Sequence, residues 1–160
     1  MSTIPTIPHW IDGKPFLGAE DTTAPVFNPA TGQVVAQVAA ATDPEVEAAI
    51  ASAAAAFEVW SQYSLAKRSA VLFRFRELLV AHTDDLAAII TREHGKTLPD
   101  ARGEVGRGLE VVEFACGIPQ LLKGEYSDQA SSGIDVYSFR QPLGVVAGIT
   151  PFNFPAMIPL

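Results

Sequence analysis

Cysteine is almost missing from these 160 residues: Cys116 is the only one. No disulfide can therefore close within the chain, and a reducing, cytoplasmic compartment is the expectation. Long apolar runs are missing too, and none approaches the roughly 20 residues needed to cross a bilayer. The start, Met1-Ser-Thr-Ile-Pro, has neither the basic residues nor the apolar run of a secretory signal. Positive charge is scarce, with 11 Lys and Arg against 18 Asp and Glu, a net −7 that is spread rather than blocked. That balance excludes nucleic acid as the expected partner. His9, His82 and His94 lack metal-ligand spacing, so no metal is expected. What remains is a soluble chain whose 48% hydrophobic content suffices for one ordinary core.

The first forty residues read as strands. His9-Trp-Ile-Asp-Gly-Lys-Pro-Phe16 predicts a hairpin, because Asp12-Gly13 tolerates the positive φ angles of a tight primed turn. Residues 21–25 read as a loop. Val26-Phe27 and 33–38 read as strands separated by the Asn28-Pro-Ala-Thr-Gly32 turn.

From Thr42 the period becomes helical. Thr42 and Glu45 form a capping box, with Pro44 in the first turn, and Val46, Ile50, Ala53 and Phe57 share a face. A second helix opens at Ser64, with Val71, Leu72, Phe75, Leu78 and Leu79 on one side and Arg68, Arg74 and Arg76 largely off it as a solvated face. Thr83 is expected to cap a third, which Gly95 ends.

A fourth helical stretch, about 99–122, carries Gly103, Gly106 and Gly108 in its first half. Each glycine costs about 1 kcal/mol in a helix interior, so this density implies close approach of another backbone or a ligand. The spacing is not the dinucleotide fingerprint, which needs a preceding strand. Arg107, flanked by glycine on both sides, has two readings: a solvent-exposed arginine, or a clamp for a carboxylate, which a planar guanidinium suits. Cys116 has no His or Lys beside it and reads as a buried, inert thiol. Beyond Gly124, residues 127–133 read as a polar loop and 134–140 as a strand.

The closing stretch combines an apolar run, 143–149, with a Thr150-Pro151 break and one amide, Asn153, between Phe152 and Phe154. The run predicts a strand buried on both faces of a parallel sheet. Ligands of open α/β sheets lie just past such strand ends. Asn153 is therefore either a turn or cap residue or a neutral donor to a developing oxyanion.

Gly148-Ile-Thr-Pro-Phe-Asn-Phe-Pro155 resembles the cofactor and oxyanion segment of the aldehyde dehydrogenase superfamily. Its continuation through Ala156-Met-Ile-Pro-Leu160 is similar to the branch that oxidises methylmalonate semialdehyde and acylates coenzyme A. Asn28-Pro-Ala-Thr-Gly32, Glu93-His-Gly-Lys96, Val105-Gly-Arg-Gly108 and Val112-Glu-Phe-Ala-Cys-Gly-Ile-Pro119 fit the same branch. The resemblance implies the amino-terminal part of an α/β subunit. Residues 1–133 would be strands and helices of the NAD-binding domain region, 134–142 an oligomerisation-sheet strand, and 143–160 the start of a Rossmann-like cofactor-binding core. It implies Asn153 as catalytic oxyanion donor, Thr150 and Phe152 as NAD neighbours through their backbones, and Arg107 as partner of the semialdehyde carboxylate. In the family a cysteine attacks the aldehyde, a hydride leaves to NAD, and the acyl group passes to coenzyme A, giving propionyl- or acetyl-coenzyme A with loss of carbon dioxide. The nucleophile and general base lie in sequence these residues do not contain, so these residues alone are expected to be inactive, and the whole protein is expected to be a homotetramer. A non-acylating aldehyde dehydrogenase and a non-catalytic interaction module are the alternatives.

Overall fold

The computed structural model of the chain describes residues 4–18 and 23–160. It opens with β1 (Thr6–Ile7), β2 (His9–Ile11) and β3 (Lys14–Phe16), followed by β4 (Thr23–Phe27) and β5 (Val34–Ala39). The β2–β3 hairpin closes through Asp12 at φ 55° and Gly13 at φ 70°, the primed turn expected from the dipeptide. β4 and β5 pair antiparallel around the 28–32 turn, where Asn28 Oδ1 accepts the Ala30 N–H at 2.9 Å. β1 adds to β5 in parallel, an element the sequence reading does not contain. Thr23, Ala24 and Pro25, read as loop, belong to β4; residues 21 and 22 of that expected loop, and residues 1–3 of the start, lie outside the described residues.

The helices are α1 (Asp43–Trp60), α2 (Leu65–Ala81), α3 (Thr83–His94), α4 (Leu98–Cys116) and the single turn α5 (Ile118–Leu121). The Glu45 carboxylate accepts the Thr42 backbone N–H at 2.6 Å, as a capping box requires. Yet Val46 and Ile50 stay about half exposed, because none of the described α1 residues is buried beneath another element. Ser64 caps α2 by accepting the Lys67 N–H. Thr83 does not cap α3; its hydroxyl donates back to the Leu79 carbonyl at 2.8 Å, and His82 occupies the cap position. A β-branched hydroxyl one turn after a free carbonyl bonds it in place of an N–H. Gly95 ends α3 at φ 82°. The fourth helix breaks at Gly117 rather than running on to 122.

The core lies between α3 and α4. Ala87, Ile90, Ala101 and Val105 pack together, with Leu86 and Ala156 against them. Ala101 and Ala87 are the small residues that let the two axes approach. α2 packs on the other side of α4, and here the expected faces shift. Leu79 of the expected apolar side is buried, but so is Ser69, while Val71, Phe75 and Leu78 are exposed, and Arg76, read as solvated, reaches Glu113 of α4 at 2.7 Å. Burial by α4 rather than greatest apolar content selects the inner stripe.

β6 (Tyr126–Ser131) and β7 (Ile134–Tyr137) form an antiparallel hairpin. The loop expected at 127–133 is thus mostly strand, and the strand expected at 134–140 stops at Tyr137. The Asp135 carboxylate organises the irregular register, accepting from Tyr126 Oη and from the Gln129 N–H, each at 2.8 Å. Residues 143–149 form no strand: Leu143, Val146 and Ile149 are 96%, 74% and 102% exposed. A parallel strand has no stability without neighbours to accept its ladder, and among the described residues no strand lies beside this run. No helix among the described residues is long and apolar enough to cross a membrane.

Candidate active site

The four residues singled out in the sequence fall on two elements. Arg107 lies on α4, while Thr150, Phe152 and Asn153 lie on the final segment, which turns back over α3 and α4. The docking of that segment is decided by one buried carboxylate. α4 turns Ala101, Glu104, Val105, Gly108 and Val112 inward, so a glutamate stands on an otherwise apolar stripe. Glu104 is 1% exposed. Its Oε1 accepts the Ala156 N–H at 2.8 Å and the Met157 N–H at 3.2 Å, and its Oε2 accepts Lys96 Nζ at 2.6 Å. Burial by itself pushes the carboxyl up, but the Lys96 ammonium and the two amides together outweigh it and hold Glu104 below the usual carboxylate range.

Lys96 completes the attachment. Beyond Glu104, its ammonium donates to the Asn153 carbonyl oxygen at 3.0 Å and stands 4.5 Å from the centre of the Phe154 ring. It is placed by Gly95, whose left-handed φ stops α3 and swings the chain towards the Thr97 cap of α4. The segment is therefore pinned by its peptide groups. The Asn153 side chain is exposed and makes no hydrogen bond among the described residues.

Two clefts flank the pinned turn. One, of about 410 Å3, lies on the α3 side and is lined by Leu86, Ile90, His94, Phe152 and Ala156 among others. The second, about 240 Å3, lies on the α4 side between Lys96, Gly103, Glu104, Arg107 and Phe154. Arg107 is exposed and forms no ion pair among the described residues. Gly103 adds no Cβ to this cleft, whereas Gly108 serves the other purpose expected of these glycines, close approach of backbone: a Cβ there would meet Met157 Cα at 3.3 Å. The structure thus brings Arg107 to the cleft that Phe154 lines, next in sequence to Asn153, and puts Phe152 on the opposite side. The peptide N–H groups of Thr150 and Phe152 have no backbone partner among the described residues.

Cys116 is buried in α4 and carries no disulfide, in keeping with the inert thiol expected of it. Among the described residues no group of three or more His, Cys, Asp or Glu is placed to hold a metal ion. Sequence reasoning missed the site's two organisers, Lys96 and Glu104. The available signal was an acid on the buried helical stripe, 101–104–105–108–112, which an ionised side chain occupies only with a partner.

A family model described as the aldehyde dehydrogenase family matches residues 16–160. Malonate-semialdehyde dehydrogenase of Pseudomonas aeruginosa is 48% identical over 155 residues, which cover 97% of this chain and 31% of that protein. The acylating, mitochondrial methylmalonate-semialdehyde/malonate-semialdehyde dehydrogenase of Rattus norvegicus is 46% identical over 159 residues, 99% of this chain and 30% of that one. Among solved structures, a Sinorhizobium meliloti 1021 protein complexed with NAD superposes with a TM-score of 0.92 at 48% identity, over 99% of this chain and 32% of that one. Methylmalonate-semialdehyde dehydrogenase from Oceanimonas doudoroffii gives a TM-score of 0.90 at 50% identity, over 97% and 32%. The chain spans a little under a third of the length of the relatives it matches.

Proposed function

The chain belongs to the aldehyde dehydrogenase family, and on that premise we propose that the whole protein oxidises methylmalonate or malonate semialdehyde with NAD and passes the acyl group to coenzyme A. The substrate carboxylate leaves as carbon dioxide, and the products are propionyl- or acetyl-coenzyme A with NADH. The observation that carries this reading is the position of Arg107, without an ion pair among the described residues, in the cleft that it shares with Phe154, the residue that follows Asn153 in sequence. In this reading the carboxylate of the aldehyde meets the Arg107 cation, and its carbonyl oxygen meets the amide of Asn153, which is not itself among the residues lining that cleft. Asn153 donates to the carbonyl oxygen as a nucleophile adds to the carbon and negative charge gathers there. Arg107 takes the carboxylate through paired N–H groups and so sets the orientation of the aldehyde.

NAD, when bound, supplies the hydride acceptor. Thr150 and Phe152 fit a role beside it, since their peptide N–H groups have no backbone partner among the described residues, whereas Pro151 has no N–H to offer. The acylating relative in rat and the NAD complex of the S. meliloti protein support the choice of co-substrates. By themselves these 160 residues do no chemistry on an aldehyde, because Cys116, their one thiol, is buried away from both clefts. The exposed β6–β7 hairpin, with Ile134, Val136 and Tyr137 uncovered, is the surface we assign to homo-oligomer formation, a tetramer by the family resemblance, in a cytoplasmic enzyme.

Arg107→Leu in the intact enzyme tests the reading. The Michaelis constant for malonate semialdehyde should rise while propanal, which has no carboxylate, is oxidised as before; equal losses for both would reduce Arg107 to a surface residue of α4. Release of a free acid at a rate that does not depend on coenzyme A would point instead to a non-acylating dehydrogenase.

A further inference from the structure

An ion pair this deeply buried is poor evidence of stabilisation, since desolvation offsets most of the attraction and well-packed apolar residues often serve as well. Its use is better sought in the geometry that it imposes. The two Glu104 oxygens take three donors, from Lys96, Ala156 and Met157, and Lys96 adds a bond to the Asn153 carbonyl. The pair therefore holds both ends of a five-residue turn, 153 at one side and 157 at the other. It does so through peptide groups alone, leaving the Asn153 amide unbonded and exposed. Gly108 lets the far end of that turn sit against α4. The Phe154 ring lies under the Lys96 ammonium, 4.5 Å from ring centre to nitrogen, a further contact between Lys96 and this turn.

We infer that Lys96 and Glu104 are positioning residues for the reaction, fixing the peptide of Asn153 so that its side-chain amide is aimed before the substrate arrives. This rests on the reading of Asn153 as the oxyanion donor. A donor acts on a transition state only when its direction is set in advance, and a displacement of about 1 Å costs on the order of 100-fold in rate. Neither residue needs to touch the aldehyde. Glutamine at 104 cannot substitute, because its single carbonyl oxygen replaces two acceptor oxygens and its NH2 meets the donors head-on.

The test is a cycle in the intact enzyme, read by single-turnover acylation and by NAD affinity. Lys96→Met and Glu104→Gln should each lower acylation by about 10- to 100-fold and leave NAD affinity unchanged. Lys96→Arg, which still donates to both oxygens, should recover much of the rate. In an Asn153→Ala background the same substitutions should cause no further loss, because the group they aim is gone. The paired change Lys96→Met with Glu104→Leu removes both charges while filling the space, and keeps the question open to measurement if a single variant does not fold. Equal fold-losses with and without Asn153, or unchanged acylation in the paired variant, would overturn the inference and leave Asn153 as donor. Asn153→Ala with a normal acylation rate would sink the reading beneath it instead.

Discussion

Gly108 on α4 faces the α-carbon of Met157 so closely that a methyl group at 108 would stand 3.3 Å from it and 2.6 Å from Leu160 Cδ1. Gly106, half a turn away on the same helix, has nothing within 4 Å of the corresponding point. Alanine at 106 should therefore stabilise the protein by about 0.5–1 kcal/mol through helix propensity. Alanine at 108 meets an overpacking cost of about 1–3 kcal/mol, which exceeds the ~1 kcal/mol propensity gain. Melting curves of the two variants should move in opposite directions, up for Gly106→Ala and down for Gly108→Ala. A shared upward shift would mean that the final turn does not press on α4.

Gly95 presents a second backbone requirement. Its φ of 82° is left-handed, and a Cβ there would also stand 2.8 Å from Pro29 Cγ. Gly95→Ala should cost about 1–2 kcal/mol from conformation alone, measurable by urea denaturation. Because Gly95 directs Lys96, acylation should fall together with stability. Loss of stability with full activity would show that Lys96 finds Glu104 without this turn.

Glu104 gives the protein an acid limit. Its carboxyl is held below the ordinary value in the folded state, so the stability it contributes is complete above the usual carboxylate range. That contribution disappears as pH falls through the usual range and then through the folded value. The intact enzyme should lose stability on acidification, and Glu104→Gln should flatten that limb while costing about 3–5 kcal/mol near neutrality, where Lys96 is left without its counter-charge. Parallel acid limbs in the two proteins would place the pH sensitivity elsewhere.

Asn153→Ala should lower the acylation rate by about 3–4 kcal/mol of barrier, the loss associated with one oxyanion donor. NAD affinity should hardly change, since the proposed cofactor contacts at Thr150 and Phe152 are to backbone. A rate within a factor of two or so of the parent in a rapid-quench measurement would return Asn153 to the role of a turn residue.

The features legible in the sequence are those whose causes lie within a few residues of one another. Asp12-Gly13 makes its turn, Glu45 reaches the Thr42 N–H, Ser64 caps α2 and Gly95 stops α3, because each acts on backbone groups one turn away. The family was legible for a different reason: its motifs are contiguous strings. What depended on the tertiary structure was every relation between distant segments. The run 143–149 has strand composition, but a parallel strand exists only beside another, and among the described residues none lies beside it. Arg76 reads as solvated until α4 brings Glu113 to it, 37 residues away. Lys96 and Glu104 meet Asn153, Ala156 and Met157 across more than 50 residues of chain. No local window contains that pairing, because a buried charge is tolerable only where a partner arrives, and the arrival is a property of packing α3, α4 and the final turn together.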